Sequence, residues 1–276
     1  IRSQRATNGG RGQDRSLCWL ADRAAKAGLG GEPGQGLEAP PVREPAQGWS
    51  GSLVREPRKG VVLSRAWEGE GYPLQGMSLR IIAGDHRGRM LKTPPESLAT
   101  RPYPARVREA LFSILRGWWE DAKVVDVFCG VGSVGLEAIS RGAREAFFVE
   151  QDRRVANLLQ ENIASMDCAD RAEVLRADAF SPLVRLRLGQ DCDIVSLDPP
   201  YAMMQEEETL AKVLEAAVGY ASCLRPGGWF VLRTPEDPEH TPHDIDGLLG
   251  PEVHAYGRDM FVLLYQRPLE ANDGAG

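Results

Sequence analysis

The chain has 276 residues, 42% of them hydrophobic, enough for one large domain or two small ones around a sizeable core. Its 33 Lys and Arg against 39 Asp and Glu leave a net charge of −6, which excludes a protein that coats nucleic acid by charge alone. No apolar run approaches the roughly 18 residues of a membrane span, and five scattered cysteines without a Cys-x-x-Cys pair exclude a disulfide scaffold or zinc module and point to a reduced, cytoplasmic protein.

Residues 1–76 hold 14 Gly and 6 Pro and almost no periodic apolar run, so they are expected to be disordered. No methionine precedes Met77, which suggests that 1–76 is an upstream extension and Met77 the natural start. From Leu79 the pattern changes. A short strand pair over 79–83 and 89–92 is predicted to flank Gly84-Asp85-His86-Arg87-Gly88. A helix over 104–118 follows, with Val107, Leu111, Phe112, Ile114 and Leu115 on its apolar face. Between Arg80 and Arg116 eight Lys and Arg face Asp85, Glu96 and Glu109, so 77–120 reads as a basic hairpin and helix ahead of an acidic domain. Arg87 and Arg89 stand at the predicted hairpin tip, where arginines can fork onto a phosphate. With Arg80, Arg101 and Arg106 they form a candidate RNA footprint; a solvated helix face is the alternative.

The next strand, Val124-Val125-Asp126-Val127-Phe128, feeds Cys129-Gly130-Val131-Gly132-Ser133-Val134-Gly135, a Gly-x-Gly-x-x-Gly turn that opens a helix over 133–142. Such a turn brings backbone close to a ligand and aims the new helix's free N–H groups at it. Glu150 closes the following strand (146–150), where a carboxylate can accept both hydroxyls of a ribose. Asp126 lies inside its strand, where a dinucleotide site needs no charge; it serves either the ligand or nearby backbone N–H groups. Helices over 152–165 and 206–224 alternate with strands over 172–177, 193–198 and 228–233. Strands over 252–256 and 260–266 have no helix between them and should form a hairpin with one strand antiparallel to the rest. This rhythm predicts an α/β fold with a doubly wound, mostly parallel, seven-stranded sheet over 121–268, followed by a disordered tail, 269–276.

The strand Asp193-Ile194-Val195-Ser196-Leu197 ends in Asp198-Pro199-Pro200-Tyr201. Two prolines cannot continue a ladder and hold the chain extended, fixing the Asp198 and Pro199 carbonyls beside a carboxylate and an aromatic ring. That is an acceptor cradle for an NH2 group over a π-face, suited to a planar ring with an exocyclic amine. A strand-ending turn with a buried Tyr is the plain alternative.

In this order the two motifs resemble a class I S-adenosylmethionine-dependent methyltransferase acting on an amino group. Residues 79–267 resemble one family in particular, the bacterial RsmD guanine-N2 methyltransferases of small-subunit ribosomal RNA. The resemblance rests on Leu79-Arg80-Ile81-Ile82-Ala83-Gly84, Arg87-Gly88-Arg89, Arg101-Pro102 and Arg106-Val107-Arg108-Glu109-Ala110-Leu111-Phe112. It extends through Gly135-Leu136-Glu137-Ala138, Ser140-Arg141-Gly142-Ala143 and Leu197 to Tyr201. The chain departs from the family at Tyr103-Pro104-Ala105, where small hydroxyl and acidic residues are usual. The resemblance implies an S-adenosylmethionine site built from Phe128, Gly130, Gly132 and Gly135, with Asp126 near the amino-acid end, Glu150 on the ribose and Asp178 on the adenine amine. For Asp178 a helix N-cap is the alternative. It implies Asp198, Pro199, Pro200 and Tyr201 as the catalytic group, ribosomal RNA as partner and a monomer. An adenine- or cytosine-amine methyltransferase is a rival, but 79–267 leaves no room for a target-recognition domain. Against a non-catalytic RNA-binding module stand the intact glycines, Glu150 and Asp198.

Overall fold

The computed structural model describes residues 60–62, 79–95 and 103–269. Their strands are β1 (Gly60–Val62), β2 (Lys123–Val127), β3 (Glu145–Val149), β4 (Ala172–Leu175), β5 (Cys192–Leu197), β6 (Leu224–Thr234), β7 (Leu249–Ala255) and β8 (Phe261–Gln266). The helices are α1 (Ala105–Ile114), α2 (Ser133–Ser140), α3 (Arg153–Ser165), α4 (Pro182–Leu188), α5 (Tyr201–Gln205) and α6 (Glu207–Ala221). One sheet takes the order β1-β7-β8-β6-β5-β2-β3-β4, with β8 antiparallel to both of its neighbours and every other pair parallel. The chain leaves β2 for β3 on one side and later returns to place β5 on the other. The C-terminal ends of β2 and β5 therefore flank the switch point where such sheets bind ligands.

Strand periodicity divides the core into two layers. Val124, Ala146, Phe148, Ile194, Trp229 and Val231 face Val107, Leu111, Leu136, Ile139 and Leu159 of α1–α3. Their sequence neighbours Val125, Phe147, Val149, Val195, Phe230 and Leu232 face Val184, Val213, Ala217 and Tyr220 of α4 and α6. Both faces being covered, the central strands read as continuous apolar runs.

The seven predicted strands are present, and β1 adds an eighth on the free edge of β7. The expectation of disorder over 1–76 is corrected for Gly60–Val62, since an extended segment there satisfies backbone groups that β7 would otherwise leave unpaired. The rest of 1–76, Arg101 and the tail from 270 lie outside the described residues. The predicted helix over 104–118 ends at Ile114, just before Gly117, which takes a left-handed φ of 88°.

The predicted strand pair over 79–92 reduces to the single bridge Arg80–Met90, with Ile81 N–H donating to Arg89 C=O and Leu91 N–H to Leu79 C=O. Its backbone has a different anchor. Ile82 and Ala83 donate their N–H groups to the two carboxylate oxygens of Glu137, at 2.7 and 3.0 Å, and Asp85 N–H donates to Ser140 C=O. Gly84 packs so closely on Ser140 that a Cβ would stand 1.7 Å from its carbonyl oxygen. The hairpin is thus strapped to the end of α2, and the glycine is required by the contact.

Candidate active site

A cleft of about 690 Å³ opens over the C-terminal ends of β2, β3, β5 and β6. Phe128 and Gly130 reach it from β2, Glu150 from β3, and Asp198, Pro199, Pro200 and Tyr201 from β5. Leu79, Thr93 and Pro94, at the two ends of the hairpin, line the same space. Seven residues expected at a site from separate motifs are thereby brought together.

The glycine motif divides by role. Gly130 has φ 54°, nothing within 4 Å of where a Cβ would be, and an N–H that donates to Glu150 Oε2 at 3.1 Å. Gly132 and Gly135 do not line the cleft. A Cβ on them would stand 2.5 Å from Leu159 and 2.3 Å from Phe148, respectively, so they let α2 lie close on β3. Both glycines thus shape the loop by close packing, Gly132 against Leu159 and Gly135 against Phe148, while Gly130 is the one of the three on the cleft wall. Phe128 also takes a left-handed φ, 57°, an outlier for a bulky residue of the kind found where a site fixes the chain. Its ring meets Phe180 edge-on at 5.9 Å.

Asp126 is 1% exposed and accepts the N–H of Gly135 at 2.9 Å. The backbone reading of this residue is therefore met, and its side chain is not on the cleft wall. Burial pushes its carboxyl up to about 8, against the opposing pull of the Gly135 N–H. Glu150 is half-buried; besides Gly130 it accepts the N–H of Asp152 at 2.8 Å. Desolvation raises its carboxyl above the usual range, while those N–H groups oppose the shift. Asp178 is exposed and accepts Phe180 N–H at 2.9 Å, beside Ala177 and Ala179, which do line the cleft. It is not the cap of α4, whose N-cap is Ser181.

Two cleft residues escaped the sequence reading. Arg233, 4% exposed at the end of β6, donates from Nε to Asp198 Oδ1 at 2.5 Å. Tyr103, ahead of α1, is buried against the cleft, and its hydroxyl has no hydrogen-bond partner among the described residues. An arginine closing an apolar strand, Phe230-Val231-Leu232-Arg233, was the available signal for the first; the departure from the family pattern at Tyr103-Pro104-Ala105 marked the second without giving it a role. Desolvation raises the Asp198 carboxyl above its ordinary value, and Arg233 partly counters that.

Of the basic residues, Arg80, Arg87, Arg89 and Arg106 are exposed. Arg87 and Arg89 flank a shallow groove of about 590 Å³ with His86, Gly88 and Lys92. Arg108, counted with this cluster in the sequence, is fully buried and donates to Arg80 C=O at 2.5 Å, so it belongs to the core.

A crossover between β2 and β5, with a carboxylate closing β3 and Asp-Pro-Pro-Tyr closing β5, is the plan of a class I methyltransferase. The family model described as "Conserved hypothetical protein 95" matches residues 79–265. The Ribosomal RNA small subunit methyltransferase D of Haemophilus influenzae is 34% identical over 168 residues, 60% of this chain and 84% of the relative. That of Escherichia coli K12 is 42% identical over 132 residues, 48% of this chain and 65% of the relative. The solved Escherichia coli protein yhhF superposes with a TM-score of 0.57 at 30% identity, covering 70% of this chain and all of that one. The chain belongs to the RsmD family of methyltransferases.

Its cofactor is S-adenosylmethionine. The cleft fits that molecule: the open space over Gly130 is where backbone can meet a ligand, and the Glu150 carboxylate stands beside it. Glu150→Ala should weaken binding of S-adenosylhomocysteine by roughly ten- to a hundredfold, as expected for charge-assisted hydrogen bonds worth about 1.5–3 kcal/mol. Calorimetry measures this; unchanged affinity, or binding of NADH instead, would remove the ribose assignment.

Proposed function

We propose that the chain transfers a methyl group to the exocyclic N2 amine of a guanine in small-subunit ribosomal RNA, acting as a cytoplasmic monomer. The observation that carries this reading is Asp198, a half-buried carboxylate on the cleft wall in the fixed frame of Pro199 and Pro200. The names of the relatives favour ribosomal RNA as substrate. When bound, S-adenosylmethionine supplies an electrophilic methyl group. Phe128, Gly130 and Glu150 would hold it, with Asp178 at the rim beside Ala177 and Ala179.

The amine of guanine is a weak nucleophile because its lone pair is delocalised into the ring. Asp198 and the Pro199 carbonyl, accepting hydrogen bonds from its two N–H groups, would turn the lone pair out of the ring plane. Once the nitrogen has gained the methyl and the methyl–sulfur bond has broken, its one surplus proton would pass to Asp198 or to water. Positioning and electrostatics then supply most of the rate, with little demand for a strong base. Tyr201 would stack on a base withdrawn from its helix or already unpaired, a contact worth about 1–3 kcal/mol. Arg80, Arg87, Arg89, Arg101 and Arg106 would hold the RNA backbone, and the hairpin that carries the first three begins and ends at the cleft.

Mapping modified nucleotides in small-subunit ribosomal RNA from cells with and without the protein tests the reading. One N2-methylguanosine should disappear; loss of a methylated adenine or cytosine instead would overturn it. Arg87→Ala with Arg89→Ala should lower RNA affinity and reduce the salt slope by about 1–2, without changing which base is methylated. Filter binding over a salt series measures the slope, and an unchanged slope would remove these arginines from the interface.

A further inference from the structure

Arg233 has surroundings that the transfer chemistry described so far does not use. Leu197 pairs with Leu232 in the parallel ladder, so Asp198 and Arg233 are the next register pair. Leu197 and Leu232 face α4 and α6, and strand alternation sends Asp198 and Arg233 to the opposite face. There the guanidinium carbon lies 4.7 Å from the ring centroid of Tyr103 and 5.3 Å from that of Tyr201, while Nε meets Asp198 Oδ1 at 2.5 Å. A cation stripped of water needs compensation of this kind, a carboxylate and two aromatic faces. All four residues line the cleft.

We propose that Arg233, clasped between Tyr103 and Tyr201, is a positioning residue for methyl transfer that turns the Asp198 carboxylate so that Oδ1 is held and Oδ2 meets the target amine. This rests on Asp198 being the amine acceptor. A carboxylate pinned at one oxygen cannot swing, so its other oxygen is preorganised for the acceptor role. The clasp also joins the segment ahead of α1 to the Asp-Pro-Pro-Tyr turn, two parts of the chain 95 residues apart in sequence (198 − 103).

Arg233 also keeps the acceptor charged. Desolvation drives Asp198 toward its neutral form, which would lose acceptor capacity, and Arg233 is the group opposing it. The other titratable groups facing this cluster are Asp126 from β2, Tyr103 ahead of α1 and Tyr201 of α5, with Tyr256 and Asp259 from the β7–β8 turn.

The test uses the full chain with Arg233→Met, Arg233→Lys and Tyr103→Leu. It follows Asp198 by carboxyl-carbon NMR titration, S-adenosylhomocysteine affinity by calorimetry and the single-turnover rate on ribosomal RNA against pH. Arg233→Met should raise the Asp198 midpoint by about one unit or more, because it removes a cation in contact. It should also cut the rate at neutral pH by roughly ten- to a hundredfold and move the acid limb upward, with cofactor affinity within a few-fold. Arg233→Lys should restore the midpoint but only part of the rate, since an ammonium lacks the planar fork and stacks poorly. Tyr103→Leu should lower the rate less than Arg233→Met does. A midpoint and rate unchanged in Arg233→Met would overturn the proposal, as would a rate loss matched by lost cofactor affinity. If Arg233→Met does not fold, Arg233→Lys and Tyr103→Leu decide, and wild-type rates in both would be fatal. The titration needs no RNA, so a wild-type protein that methylates another base would refute the proposed substrate while leaving this test standing.

Discussion

Asp198→Ala should abolish methyl transfer while leaving S-adenosylhomocysteine affinity within a few-fold. The side chain follows β5 at the cleft wall, whereas Gly130 and Glu150, which carry the proposed cofactor contacts, follow β2 and β3. Removing one preorganised group that acts on the reacting atoms costs on the order of a hundredfold or more in rate. The variant also leaves Arg233 buried without its carboxylate, so Asp198→Asn, which keeps an acceptor in place, is the cleaner comparison. On the proposed mechanism the ionised carboxylate is the active form, and desolvation raises its titration above its ordinary value. The rate should therefore fall as pH drops through that raised midpoint and hold above it. Single-turnover assays across pH check both statements. Near-normal turnover in Asp198→Ala would remove the residue from the mechanism.

Glu137→Ala should be the most destabilising single change in the described core. The Glu137 carboxylate is fully buried and accepts from Ile82 N–H, Ala83 N–H and, at 2.8 Å, Arg141 Nε. Arg108 Nε lies 4.0 Å away with its side chain equally buried. Truncation strands two backbone donors and leaves the Arg108 cation without its countercharge. Breaking a buried pair in this way costs about 3–5 kcal/mol, and each stranded donor adds to it. Urea unfolding should show the loss, and hydrogen exchange should place the first opening at residues 79–92. Stability within about 1 kcal/mol of wild type would mean that the hairpin is held by other contacts.

The success of the sequence reading has a specific cause. Alternating strand and helix periods, a glycine turn after a strand and two prolines after another are local patterns, each dictated by backbone sterics. They suffice to place Phe128, Gly130, Glu150 and Asp198 at strand ends, and a doubly wound sheet gathers those ends along one edge. The division of labour within the glycine motif was not legible, because whether a Cβ meets solvent or Phe148 depends on how α2 lies over β3. Glu137 gave a faint sign, a lone carboxylate within Val134-Gly135-Leu136-Glu137-Ala138-Ile139, but its partners lie 54 and 55 residues away in sequence.

The sequence by itself determined the sheet class, the strand ends that line the cleft and the position of the Asp-Pro-Pro-Tyr motif among them, because these follow from spacing of a few residues. Only the tertiary structure decided which arginines face solvent and which are core. Arg108 and Arg87 have the same charge, and burial against Glu137 in one case and a glycine turn at the surface in the other separates them. It also brought Tyr103, Arg233 and Asp198 into contact, and Gly60–Val62 onto the sheet edge. Those contacts span long loops, whose closure is settled by the packing of the whole core and leaves no periodic trace in the chain.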